Sequence, residues 1–147
     1  MKTSNRAEEA VSCFKEGFSC SQAVLSSFAE GFGLDCSTAL KVAAGFGGGM
    51  GRMALTCGAV TGAYMVIGLK YGATTAQDRQ AKEKTYQLVR LFNEKFKSRN
   101  ESVICKDLLG CDIGTPAGFE EAKQRNLLTT VCPKLVRDAS EILEEIL

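Results

Sequence analysis

Met53-Ala54-Leu55-Thr56-Cys57-Gly58-Ala59-Val60-Thr61-Gly62-Ala63-Tyr64-Met65-Val66-Ile67-Gly68-Leu69 is a run of 17 residues without a charge, around which the rest of the chain must be arranged. Its length is near the lower limit for a membrane-spanning helix. It is the only such stretch, and Thr56, Gly58, Thr61, Gly62 and Gly68 interrupt its apolar character. The better reading is a helix buried inside a bundle, where small side chains let neighbouring helices approach closely. Gly58-x-x-x-Gly62 then serves packing within the bundle or across a homodimer, and Tyr71-Gly72 ends the helix.

The segments around this run carry the 3.6-residue period of helix faces that would cover it. Ala7, Ala10, Val11 and Phe14 recur at steps of three and four. Gly17 breaks that pattern, and Ser19-Cys20-Ser21-Gln22 has the form of a capping box opening a second helix. That helix turns Ala23, Val24 and Phe28 inward and ends at Gly31 or Gly33. Asp35 caps a shorter third helix. Thr75 opens the longest and most polar one, with Ala81, Thr85, Leu88, Phe92 and Phe96 as its inward stripe. Ser102 caps a short helix that Gly110 terminates, Thr115-Pro116 begins another, and Cys132-Pro133 opens the last, with Leu135, Ala139, Ile142, Leu143 and Ile146 in register. No segment alternates with period two over a strand's length. The expectation is an all-α, single-domain helical bundle over residues 1–147, with about six to eight helices and a buried central Gly-rich helix. A chain of 147 residues is one domain's worth, since a single core of this size buries roughly two thirds of the unfolded chain's surface.

Composition narrows the function. Lys and Arg number 18 against 17 Asp and Glu, so the surface as a whole has no field for nucleic acid or anionic lipid. There is no His, which removes the Ser-His-Asp triad, the Cys-His pair and every imidazole metal site. What stands out is cysteine, at positions 13, 20, 36, 57, 105, 111 and 132. The opening MKTSNRAEEA lacks the apolar run of a signal peptide, so the expectation is a cytoplasmic protein with reduced thiols that are buried, hold metal, or do redox chemistry.

Four of these thiols fall in similar places. Cys20 lies in the first turn after Ser19, Cys57 follows Thr56, Cys105 comes three residues after Ser102, and Cys132 directly precedes Pro133. All four sit near predicted helix N-termini, where unpaired N–H groups and the helix dipole favour a thiolate. No two of them are closer than 27 residues, so tertiary packing must assemble any shared site. Cys105 and Cys111 are the nearest thing to a local couple, and read more simply as two separate helix-end residues.

Gly45-Phe46-Gly47-Gly48-Gly49-Met50-Gly51-Arg52 is the chain's one glycine cluster. It lacks the Gly-Lys-Ser/Thr ending of a P-loop. Gly49-x-Gly51-x-x-Ala54 formally fits a dinucleotide fingerprint, but no strand precedes it and no acid follows about 20 residues on. These glycines more simply let the backbone pass close to the cysteines or the buried helix, with Arg52 available to an anion.

Phe18-Ser19-Cys20-Ser21-Gln22-Ala23-Val24, Gly47-Gly48-Gly49-Met50-Gly51, Cys57-Gly58-Ala59-Val60-Thr61-Gly62-Ala63, Cys105-Lys106-Asp107-Leu108-Leu109-Gly110 and the late Cys132 together resemble the C_GCAxxG_C_C family of redox-active bacterial proteins. The resemblance runs from about Phe14 into the last helix. It implies four signature cysteines, here Cys20, Cys57, Cys105 and Cys132, in a protein associated with an oxidoreductase or transporter partner. The expected cofactor site is these four thiolates, with Gly47, Gly48, Gly49 and Gly51 shaping it. The thiolates would hold an iron-sulfur cluster or another thiophilic metal. A cofactor-free thiol/disulfide couple is the alternative. A third reading is an interaction module docking through Arg79, Lys82, Lys84, Arg90, Lys95, Lys97 and Arg99, charges that a solvated helix face explains more simply. No stand-alone catalytic activity is implied, since no general base can be named.

Overall fold

The uncharged run becomes a helix only from Gly58 onward. In the computed structural model, which describes residues 5–147, the helices are α1 (Arg6–Lys15), α2 (Cys20–Ala29), α3 (Cys36–Ala43), α4 (Gly58–Tyr71), α5 (Arg79–Asn100), α6 (Cys105–Leu109), α7 (Pro116–Gln124), α8 (Leu127–Thr130) and α9 (Cys132–Ile146). Short 3-10 turns follow α2 and α3. The α8 segment is a single turn that carries no readable period, and the other eight helices make an all-α fold. Among the described residues no helix is long and apolar enough to cross a membrane.

The helix starts follow from local chemistry. Asn5, Asp35, Asp78 and Thr115 each place a side-chain oxygen on the third amide of the helix that follows. Ser19 and Gln22 form the full reciprocal capping box. Each such cap contributes about 1 kcal/mol. Three boundaries differ from the sequence reading. Helix α5 opens at Arg79 because Asp78, a stronger acceptor than Thr75, takes the Ala81 amide at 3.0 Å. Ser102 does not cap α6, since its hydroxyl accepts from Ile104 N and Ile104 is tied to Thr56 in an isolated antiparallel β-bridge. For the same reason Met53–Thr56 stay outside α4, and Cys57 is its N-cap residue.

Helix α4 lies at the centre, with Gly58 to Ala63, Val66 and Ile67 all buried. Its small residues meet α2. A Cβ on Gly62 would stand 2.9 Å from Ser21 O, and one on Gly58 3.0 Å from Ser21 N. The Gly58/Gly62 pair therefore packs inside the bundle. Ser21 is fully buried and donates to Ala43 O at 2.8 Å, which ties α2 to α3 without leaving a polar group unsatisfied.

Helix α9 lays Leu135, Val136, Ala139, Ile142 and Leu143 into one continuous core. Helix α5 closes the bundle with Leu88, Phe92 and Phe96, while Ala81 and Thr85 of the expected stripe are half-buried. Tyr64 of α4 meets Phe92 edge-on at 6.0 Å. Lys95 and Arg99 of α5 pair with Glu145, Asp138 and Glu141 of α9, so part of the basic face is spent within the bundle.

Two glycines of α4 predict opposite outcomes. Gly68 has nothing within 4 Å of a Cβ, so Gly68→Ala should stabilise by up to about 1 kcal/mol through helix propensity. Gly62→Ala should destabilise by about 1–2 kcal/mol, because the α2 backbone must move to admit the methyl group. Urea denaturation of both variants checks the contrast.

Candidate functional site

The four cysteines singled out from sequence occupy the helix starts expected of them. Cys20, Cys105 and Cys132 are the first residues of α2, α6 and α9, and Cys57 is the N-cap residue of α4. All four are buried, with exposures of 4 to 8%, and all four line one cavity of about 300 Å³. The rest of its wall is mostly apolar, with Phe14, Leu109, Ile113, Phe119, Leu128 and Leu135. Of these, Phe14 and Leu135 had a sequence signal, their places on the inward stripes of the first and last helices. Leu109, Ile113, Phe119 and Leu128 come from a loop and short helices without periodicity.

The Thr56–Ile104 bridge brings the middle two cysteines together. Cys57 N donates to Val103 O at 2.8 Å, and Cys105 N donates to Leu55 O at 2.6 Å. Two residues far apart in the chain thus flank one bridge, each fixed by its own amide. Cys20 and Cys132 form the second pair, near enough for each to shift the titration of the other. Packing of α2 against α4 then sets one pair beside the other, since a Cβ on Gly58 would lie 3.2 Å from that of Cys20.

The glycine cluster delivers the chain to the bridge. Gly48, Gly49, Met50, Gly51 and Arg52 all have positive φ, between 59° and 72°, and Ala54 follows at 60°. Left-handed backbone costs a non-glycine residue about 1–2 kcal/mol, so Met50, Arg52 and Ala54 hold strain that the surroundings must enforce. Backbone bonds from Arg52 N to Gly47 O, Ala54 N to Gly48 O and Leu55 N to Gly49 O do so. Gly49 is the tightest point, where a Cβ would stand 2.6 Å from Leu55 N and 2.8 Å from the Cβ of Cys105. Gly48 and Gly49 line the cavity, whereas Gly47 instead packs on Ser19 and Gly51 is needed only for its φ. No strand precedes the cluster among the described residues. Arg52 sits at the rim with its guanidinium 4.3 Å from the centre of the Phe119 ring.

The electrostatics correct one expectation. Helix N-termini were expected to favour thiolates at all four cysteines, but burial outweighs them at two. The Ala59 and Val60 amides of α4 do pull Cys57 down, yet desolvation pushes it up to about 11. Desolvation likewise raises Cys105 to about 12, with the neighbouring cysteines adding to it. Cys20 is raised first by its hydrogen bond to Cys132 and then by burial. Cys132 alone is lowered, because the Cys20 thiol donates to it. Three of the four sulfurs are thus held toward the thiol, and Cys132 alone is shifted toward the thiolate.

The remaining cysteines lie elsewhere. Cys13 is half-buried with its sulfur 3.6 Å from Ser26 Oγ, Cys36 is exposed, and Cys111 is half-buried beyond the Gly110 stop of α6. None of them lines the cavity. Among the described residues no group of three or more Cys, Asp or Glu side chains is spaced to hold a metal ion directly.

A family model described as "Putative redox-active protein (C_GCAxxG_C_C)" matches residues 18–146. The chain belongs to this redox-active, cysteine-rich family. No curated protein and no solved structure matches it.

Two measurements check the electrostatic picture. Alkylation by iodoacetamide near pH 8, followed by peptide mapping, should label Cys132 well ahead of Cys57 and Cys105. Stability should also fall as pH rises above about 9, the ordinary thiol value. There the unfolded chain loses protons from positions 57 and 105 that the folded protein keeps until about 11 and 12. Cys57→Ala should flatten that decline.

Proposed function

Starting from that family membership, we propose that Cys20, Cys57, Cys105 and Cys132 form a thiolate site for an iron-sulfur cluster or other thiophilic metal, serving electron transfer to or redox support of an oxidoreductase or transporter. The carrying observation is that four cysteines from four separate helix starts converge on one cavity while the other three do not. The donor set fits such a group, because sulfur ligands in a largely apolar shell suit iron-sulfur centres and other soft metals. No three of these side chains are gathered as a ready-made metal site, so loading would have to draw the sulfurs together. When bound, a cluster would supply one-electron chemistry. The protein would hold it by four sulfurs, exclude water with the apolar wall, and give up the protons of Cys20, Cys57 and Cys105 on loading.

A specific observation supports a second reading, a cofactor-free thiol/disulfide couple. Cys132 is lowered by the neighbouring Cys20 thiol, and both line the same cavity, which suits an attacking and a resolving thiol. The seven cysteines are all free, and either reading would call for a reducing, cytoplasmic setting.

Anaerobic purification with iron, zinc and acid-labile sulfide analysis and a visible spectrum tests the proposal, on the wild type and on each of the four Cys→Ser variants. Stoichiometric metal lost in every one of the four variants, and retained in Cys36→Ser, is the expected result. Metal-free protein under anaerobic conditions would overturn the cluster reading.

A further inference from the structure

Arg52 is the one charged side chain lining the cysteine cavity, and neither the fold nor the four thiols account for it. It sits at a position where the backbone adopts φ 61°, a conformation that glycine takes without strain and arginine does not. No carboxylate among the described residues pairs with it. Its guanidinium instead lies over the Phe119 ring at 4.3 Å, and Lys123 approaches the same ring at 4.9 Å. Lys123 differs in being paired with Glu120. A cation–π contact holds Arg52 in place without neutralising it. The cavity mouth therefore carries an oriented, uncompensated positive charge above an apolar wall, with the thiols beneath.

This is the pattern of a small-molecule pocket, largely apolar with few placed polar groups, and at about 300 Å³ it lies at the lower end of the usual range. We propose that the metal-free cavity accepts small disulfides with an apolar body and an anionic group, recognised by Arg52 and Phe119 at the rim and reduced by the cysteines within. The inference rests on the thiol/disulfide reading of the same site. A cavity thiolate attacks one sulfur of the small disulfide. That S–S bond breaks, a mixed disulfide with the protein forms, and one thiolate leaves with the electron pair. A second cavity thiol, giving its proton to solvent, attacks the protein-side sulfur, closing a protein disulfide and releasing the second thiolate. Two protein thiols are oxidised by two electrons and the small disulfide is reduced to two thiols.

The test uses the full chain with Cys13, Cys36 and Cys111 replaced by Ser, so that only the cavity thiols report. Reaction rates are compared for the anionic bis(carboxy-nitrophenyl) disulfide, neutral dipyridyl disulfide and cationic cystamine, in low and high salt. The expected result is a preference for the anionic probe that salt weakens, that falls about tenfold in Arg52→Gly, and that Arg52→Lys largely restores. Glycine suits the backbone at this position, so loss of the preference would not reflect misfolding. A preference that is absent, or that is the same in Arg52→Gly, overturns the inference and leaves the redox reading standing. Thiols that react with none of the probes until the protein is unfolded would overturn both.

Discussion

Two backbone hydrogen bonds carry more of this structure than their number suggests. Cys57 N to Val103 O and Cys105 N to Leu55 O join the entry of the central helix to the entry of α6, across a stretch of chain that includes the whole of α5. A buried amide left without a partner costs several times what the bond itself contributes, so both segments are held in a single register. That register sets the Cys57 and Cys105 sulfurs at one cavity. It also explains the left-handed run from Gly48 to Arg52. The chain must reverse within a few residues to bring Leu55 to the bridge, and Gly49 must have no side chain where the Cβ of Cys105 already stands.

The cavity is governed by a contest between desolvation and local dipoles. A helix N-terminus attracts a thiolate with about 1 kcal/mol or less when exposed, whereas full burial of a charged group costs considerably more. Cys57 shows both forces and their outcome, with two helix amides lowering it and burial raising it further. The only sulfur to escape is Cys132, which a second thiol stabilises. A metal or cluster alters this balance, because a cation bound to sulfur compensates the charge that burial penalises. Protonated thiols around an apolar cavity are therefore compatible with the proposed binding of a metal or cluster, which would displace their protons.

Much of this was legible in the sequence. The periodic helices, the Ser19–Gln22 capping box, the Thr115-Pro116 start and the Gly110 stop all follow from local rules, and the chain obeys them. The N-terminal placement of Cys20, Cys57, Cys105 and Cys132 picked out the cavity-lining set from among seven. What local rules do not contain is pairing between distant segments. The Thr56–Ile104 bridge involves one residue on each side and leaves no alternating pattern, so Ser102 read as a cap and Met53 to Thr56 as helix. The apolar wall from Ile113, Phe119 and Leu128 belongs to short segments whose burial depends on what they are packed against. The dominance of burial over helix dipoles at Cys57 and Cys105 likewise needs the third dimension.

Four particular sulfurs line one cavity, with Cys20 and Cys132 near enough to shift each other's titration. Limited oxidation of the reduced, native, metal-free protein with diamide, followed by peptide mapping of the first disulfide to form on either of these two residues, tests this arrangement most directly. The structure predicts a Cys20–Cys132 bond before any other at those positions. A first bond joining Cys20 or Cys132 to Cys13, Cys36 or Cys111 would contradict it.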